Sequence, residues 1–272
     1  MPLKQENAAE DSAAAIEGIA KQFLAMNLPF LADANIYSGA PFTFLDNLRQ
    51  ALAWQRSEDE KKRFINRLRY SGIAKERTSD TFLWDSGTYP FAEPGMIERA
   101  LDSGFVKLRQ NLIVTGPPGA GKTLLVTISA CKAIWAGLSV KYKTAHDIAV
   151  ELKEARAGNS LSGYIKKLQA CDLLVIEDIT FATFDARTAE AFYSIINKRY
   201  EHPRSTAITS NGSLNEWAAK FPDKSMSSAI LGRFYREAIR INMNGAEDFR
   251  LKQAMGMFDN SAAASGLTDN AV

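Results

Sequence analysis

The sequence is poor in cysteine, and its two, Cys131 and Cys171, fall in separate apolar-rich segments without C-x-x-C spacing. That excludes a disulfide framework and a cysteine zinc site, and predicts two buried free thiols in a reducing compartment. No apolar run approaches the length of a membrane span, so no membrane partner is expected. The first residues, Met1 to Asp11, are polar and acidic and do not read as a secretory signal, so the expected location is cytoplasmic. Charge of either sign is nearly balanced, at +2 overall. A nucleic-acid partner is thus neither demanded nor excluded, and any basic surface has to be local. What is present is an ordinary apolar content, enough for a sizeable core, on a chain long enough for one domain plus a smaller one.

The most specific stretch is Gly116-Pro117-Pro118-Gly119-Ala120-Gly121-Lys122-Thr123, which fits G-x-x-x-x-G-K-[ST]. It follows the apolar run Leu112-Ile113-Val114 and precedes a long apolar-rich segment, the strand–loop–helix setting that the motif needs. Glycines without Cβ let the backbone curl so that successive N–H groups point at one spot and cradle phosphate oxygens. The following helix adds its positive end. Lys122 is expected to reach the β- and γ-phosphates of a nucleotide, and Thr123 to offer its hydroxyl to Mg²⁺.

Taken in order, residues 1–12 read as disordered and residues 13–77 as a small helical N-terminal domain. Its first helix carries Ile16, Ile19, Ala20, Phe23 and Leu24 on one face. A second spans Thr43 to about Gln55, with Phe44, Leu45, Leu48, Leu52 and Trp54 as apolar positions. A third, strongly charged, spans Asp59 to about Ser71. Lys61, Lys62, Arg63, Arg67, Arg69, Lys75 and Arg77 form the densest basic run of the chain, a stripe suited to phosphate contacts of DNA or, more plainly, to a solvated helix face. Residues 78–95 read as a linker with scattered aromatics, and Met96 to Lys107 as one short helix. From Asn111 strands and helices alternate, the signature of a parallel sheet with helices on both faces. Strands are expected at Leu112–Thr115, Val140–Thr144, Leu173–Glu177, Thr206–Ser210 and Ala238–Met243. The α/β domain runs over 96–252, and residues 253–272 are a small, polar tail expected to be disordered.

Three further positions bear on chemistry. Leu173-Leu174-Val175-Ile176 reads as a buried parallel strand, and its carboxyl end, where ligands sit in open α/β sheets, carries Glu177-Asp178. One acid can hold Mg²⁺ while the other orients an attacking water. Asn211 closes Thr206-Ala207-Ile208-Thr209-Ser210 and can hydrogen-bond the water or the γ-phosphate. Arg233 can reach a neighbouring subunit's γ-phosphate, or can simply sit near a helix C-terminus where cations are favoured.

The succession of Gly-Pro-Pro-Gly-Ala-Gly-Lys-Thr, Asp172-Leu-Leu-Val-Ile-Glu-Asp178, Arg199-Tyr200-Glu201 leading to Ser205-Thr-Ala-Ile-Thr-Ser-Asn211, then Glu216-Trp217, Ala229-Ile-Leu-Gly-Arg233 and Phe249-Arg250-Leu251 resembles the IstB-like helper ATPases of insertion-sequence transposition. These lie in the AAA+ class, which also holds the DnaC-type helicase loaders. The resemblance covers most of residues 14–252. It implies an AAA+ P-loop NTPase with a five-stranded parallel sheet flanked by helices, preceded by the small helical domain. It also implies ATP and Mg²⁺ as cofactors, ATP hydrolysis, assembly as a homo-oligomer on duplex DNA, and a transposase as the regulated partner. In the sister group that partner is the replicative helicase. Lys122 and Thr123 would be the phosphate-loop pair, Glu177 and Asp178 the metal and water acids, Asn211 the first sensor and Arg233 the trans-acting arginine. The chain departs from the family pattern at Glu177, where Asp is usual, at Gly232, where Asp often precedes the arginine, and at Phe234-Tyr235-Arg236-Glu237, which replaces a His-rich stretch. A replicative helicase loader, a small-molecule kinase on a phosphate-loop scaffold and a non-hydrolysing ATP-gated binding module are the competing expectations.

Overall fold

The computed structural model describes residues 3–26, 28–37, 40–82, 89–219 and 221–246. The chain divides into two compact units, Met1–Asn66 and Arg67–Val272. The boundary expected between residues 77 and 78 therefore falls earlier. The tail expected at 253–272, Phe249-Arg250-Leu251, and residues 83–88 of the linker lie outside the described residues.

In the first unit, α1 spans Leu3–Ala25, so helix begins ten residues ahead of the expected start. Ala15, Ile19 and Phe23 bury one face of it against Tyr37, Leu45 and Leu52. The Tyr37 hydroxyl donates to the Leu31 carbonyl at 2.8 Å, which satisfies the polar tip of a ring otherwise buried. Leu24, expected on the apolar face, is exposed, as are Phe44 and Trp54. The second and third expected helices are one, α2, spanning Phe42–Ser71. No breaker stands between Gln55 and Asp59. The join is laced by Gln55–Asp59, Arg56–Glu60 and Lys61–Glu58 contacts at 3.0, 3.3 and 2.7 Å, the spacing at which helical side chains meet. Lys61, Lys62 and Arg63 of this unit are exposed, as are Arg67, Arg69, Lys75 and Arg77 at the start of the second.

In the second unit, α3 (Pro94–Leu101) and α4 (Gly104–Lys107) replace the single expected helix. Ser103 between them adopts φ 59°, which no continuing helix tolerates. There follow β1 (Leu112–Thr115), α5 (Lys122–Trp135), β2 (Val140–Thr144), α6 (Ala145–Ala157), α7 (Leu161–Ala170), β3 (Leu173–Glu177), α8 (Ala186–Glu201), β4 (Ser205–Ser210), α9 (Leu214–Ala219), α10 (Lys224–Tyr235) and β5 (Ile239–Asn242). All five expected strands form within a residue of their expected ends.

The sheet is wholly parallel, in the order β2-β3-β4-β1-β5. Strand β4 is therefore inserted between β1 and β3, and the carboxyl ends of β1, β4 and β3 lie side by side. Both β3 and β4 are buried along their whole length, as strands covered on two faces must be. Leu174, Ile176, Ile113 and Ile208 face a core completed by Ile148, Leu152, Phe192, Ile195, Trp217 and Phe234 from the helices. At about 25 cal/mol per Å² of apolar surface, side chains this dry contribute roughly 1.5–3 kcal/mol each to the fold. At the opposite ends of the strands, Asn111 ties elements together. Its Nδ2 donates to the carbonyls of Arg233 at 2.9 Å and Phe234 at 3.2 Å, while its Oδ1 accepts from the Thr206 amide at 2.9 Å.

Candidate functional site

The phosphate-loop sequence leaves β1 beside β4, and the Gly116 amide donates to the Ser210 carbonyl at 3.2 Å. A Cβ on Gly116 would come within 2.7 Å of the Met243 Cβ, so the loop passes too close to the end of β5 for any side chain. Gly121 adopts φ +89°, and a Cβ there would lie 3.1 Å from the Tyr89 hydroxyl. That hydroxyl donates to the Ala120 carbonyl at 3.1 Å, and the Tyr89 ring stacks on Phe82 at 5.8 Å. Tyr89 thus braces the loop from the segment read only as linker. Helix α5 opens immediately after the loop with no side-chain cap, which leaves its first N–H groups for an anion. Lys122 is 5% exposed, and its Nζ donates to the carbonyls of Gly116 at 2.8 Å and Pro117 at 2.7 Å. Its charge is thereby held within the curl that a triphosphate would occupy.

One strand beyond β4, Glu177 ends β3 at 9% exposure. Burial pushes its carboxyl above the usual range; the nearby hydroxyls of Thr123 and Tyr142 pull the other way, Asp178 beside it adds to the rise, and Lys122 offsets part of it. Among the described residues its Oε1 has no hydrogen-bond partner, although it is fully buried. An orphaned carboxylate oxygen beside the phosphate-loop threonine is what a small hard cation would complete, so the residues present fit Mg²⁺. Among the described residues no group of three or more His, Cys, Asp and Glu could hold a metal by itself. An ion here would take Thr123 and Glu177 from the protein and the rest of its shell from phosphate and water, the habit of Mg²⁺.

Asp178 turns out of the strand at φ 51°, a left-handed conformation that aspartate tolerates better than most residues. Its amide donates to Thr209 Oγ1 at 3.0 Å, and its Oδ1 accepts from Asn211 Nδ2 at 3.2 Å. The predicted loop, acid pair and sensor amide thus share one rim of the sheet, and Asn211 is hydrogen-bonded to the acid assigned to water.

Arg233 is not on that rim. It lies on α10 near Asn111, at the amino ends of β1 and β4. Its guanidinium donates to Asn197 Oδ1 at 2.6 Å, the Ala229 carbonyl at 2.7 Å and the Tyr193 hydroxyl at 3.2 Å. It also lies 5.0 Å from the centre of the Tyr193 ring. A cavity of about 90 Å³ opens there, lined by Arg109, Arg204, Arg233, Arg236 and Tyr200 among others. Arg236 is exposed and stacks on the Tyr200 ring at 4.8 Å. Neither Tyr89 nor Tyr142 was marked by the sequence, since a tyrosine in a linker or a short strand has no spacing that signals a role.

The model of the IstB-like ATP-binding proteins matches residues 26–256. The chain belongs to that family. This IstB-like chain is 27% identical over 233 residues to the protein named as the ATP-binding protein of insertion sequence IS5376 of Geobacillus stearothermophilus, covering 84% of this chain and 91% of that one. It is 28% identical to the corresponding protein of IS21 from Pseudomonas aeruginosa, over 69% of each. Its fold matches that of AMPPCP-bound DnaA from Aquifex aeolicus with a TM-score of 0.55 at 20% identity, over 70% of this chain and 56% of that one. The IstB-like chain thus spans little more than half of that DnaA, and the likeness establishes the AAA+ P-loop fold. Among the described residues no helix is long and apolar enough to cross a membrane.

Proposed function

We propose that this IstB-like chain is a Mg²⁺-dependent ATPase that assembles head to tail on duplex DNA and there recruits or regulates a transposase. The observation carrying the reading is the division of the site between two ends of one sheet. Loop, acids and Asn211 stand at the carboxyl ends of the strands, whereas Arg233 and its arginine-lined cavity stand at the amino ends, where they serve only another copy's nucleotide. Lys122 and the amides of residues 116–123 hold the phosphates. Asp178 orients the attacking water, with Asn211 fixing its carboxylate. Mg²⁺ supplies neutralisation of the charge that builds on the phosphates, and Thr123 and Glu177 would hold it. Arg233, exchanging its bonds to Asn197 and Tyr193 for a γ-phosphate, stabilises the transition state in trans. The exposed basic stripe of α2 supports contact with DNA phosphates, and two free buried thiols suit a cytoplasmic setting.

A mixing experiment tests this. Lys122→Ala subunits lack a working loop, and Arg233→Ala subunits lack the donated arginine. Each is expected to hydrolyse ATP slowly, with losses of about 10³–10⁵ for the arginine. Mixed on DNA, they should recover activity above the sum of the two, because half of the mixed interfaces pair an intact loop with an intact arginine. A mixture that forms hetero-oligomers and stays inactive refutes the trans assignment.

A further inference from the structure

Tyr142 lies on β2, next to β3, with Thr144 in register with Glu177 and Tyr142 in register with Val175. Residues two apart on a strand share a face, so Tyr142 and Glu177 project on the same side of the sheet. The phenol stands 3.1 Å from Thr127 Oγ1 on α5, and Tyr142 and Glu177 lie close enough that each perturbs the other's charge. The Thr127 hydroxyl also reaches the Thr123 carbonyl at 2.6 Å, but in a helix that carbonyl already accepts the Thr127 amide, so the hydroxyl can turn to the tyrosine. Tyr142 then has its own proton left for an ionised Glu177 on the same face of the sheet, and among the described residues Glu177 Oε1 is buried without a hydrogen-bond partner. The strand itself is fixed at this point. Gly72, at φ +92°, passes so near that a Cβ would lie 2.5 Å from the Tyr142 carbonyl. A glutamate has one more rotatable bond than an aspartate, and without a restraint its carboxylate has several staggered positions to choose from.

We propose that Tyr142 is a positioning residue for Glu177: backed by Thr127, its phenol holds the carboxylate in one rotamer and leaves Oε1 open to the cation that accompanies ATP. This rests on the reading that Glu177 holds Mg²⁺. Such outer partners of a metal ligand act by orienting it, and their loss typically costs about 10–100-fold in metal affinity or activity.

The test compares Tyr142→Phe, Glu177→Gln and the double variant. Affinity for a fluorescent ATP analogue is measured in Mg²⁺ and in EDTA, beside turnover as a function of Mg²⁺ concentration. Tyr142→Phe keeps the ring and should leave affinity in EDTA unchanged. It should reduce the gain in affinity on adding Mg²⁺ by about 10-fold and raise the Mg²⁺ concentration for half-maximal turnover by a similar factor. In the Glu177→Gln background it should add nothing. If Glu177→Gln loses the Mg²⁺ gain while Tyr142→Phe matches the unmodified protein, the positioning role is wrong and the metal assignment stands. If Tyr142→Phe loses affinity equally in EDTA and in Mg²⁺, the tyrosine is structural and the proposal is overturned. If Glu177→Gln itself keeps the full Mg²⁺ gain, both fall.

Discussion

Arg199 is the side chain whose removal should do most damage to the second unit. It is 2% exposed, yet among the described residues no carboxylate bonds it. Its Nη1 donates to the carbonyls of Leu168 and Cys171, each at 2.8 Å, its Nη2 to that of Ser205, and its Nε to Thr206 Oγ1 at 3.1 Å. One guanidinium thereby ties the end of α7, the entry to β3 and the start of β4 to α8. Arg199→Met keeps most of the apolar stem and removes the fork. A buried carbonyl left without a donor costs about 1–3 kcal/mol, so the three carbonyls bound the loss at roughly 3–9 kcal/mol. Relaxation and the sharing of carbonyls with backbone donors favour the lower part of that range, and we expect about 4 kcal/mol, in line with other broken buried charge networks. For a unit of this size that lowers Tm by roughly 8–16 °C. Arg199→Lys, with three donors on one nitrogen, should lose about half as much, because a point charge cannot span all the acceptors. Urea unfolding followed by circular dichroism and by tryptophan fluorescence, with the buried Trp217 as an internal reporter, measures both variants. Arg199 sits at the ends of β3 and β4 opposite Asp178 and Asn211, so folded Arg199→Lys should keep ATP affinity within about twofold, well under the 1.4 kcal/mol that a tenfold change represents. A loss below about 1 kcal/mol for Arg199→Met would refute the accounting, since a satisfied buried fork would then be worth no more than a single neutral hydrogen bond.

Two further outcomes are expected. Burial raises the Glu177 carboxyl in the folded protein, so its contribution to stability is complete below the ordinary carboxylate range and is lost as pH rises through the raised value. Without nucleotide, Tm of the unmodified protein should fall across that window relative to Glu177→Gln, and Tm curves that stay parallel across pH would contradict it. On DNA, Lys62 and Arg69 stand two turns apart on one exposed helix; replacing both with Ala should flatten the slope of log affinity against log salt by about 1.8, roughly 0.9 per phosphate contact, and an unchanged slope places the DNA path elsewhere.

The second unit was legible because its signals are local and redundant. Leu173 to Ile176 can be little other than a strand buried on both faces, and the glycines of the loop, the acids after β3 and Asn211 after β4 each follow a recognisable strand. The first unit was read less well. Phe44, Trp54 and Leu24 fit a helical apolar face by spacing, and their exposure is decided by which residues the neighbouring turns cover. One helix is expected to end near Gln55 and another to start at Asp59, whereas the i,i+4 pairs there sustain a single helix. Tyr142 and Tyr89 were invisible for another reason. Their roles depend on partners such as Thr127, Glu177 and Ala120, reached across the fold, and no spacing in the chain encodes such a meeting.

Asn111 has a geometric consequence for any chain of copies. Its amide fixes the end of α10 against the start of β1, and β1 runs four residues before becoming the phosphate loop. At about 3.3 Å per residue the strand is a ruler of roughly 13 Å. One end receives a nucleotide, and the other holds the arginine proposed to serve the next copy's nucleotide. Giving and receiving faces set at a fixed spacing make each copy a directional brick. Repeated, such a brick closes into a ring or advances as an open helix according to the twist of each step. In the proposed assembly, the spacing between giving and receiving faces would then be set by the length of a single strand.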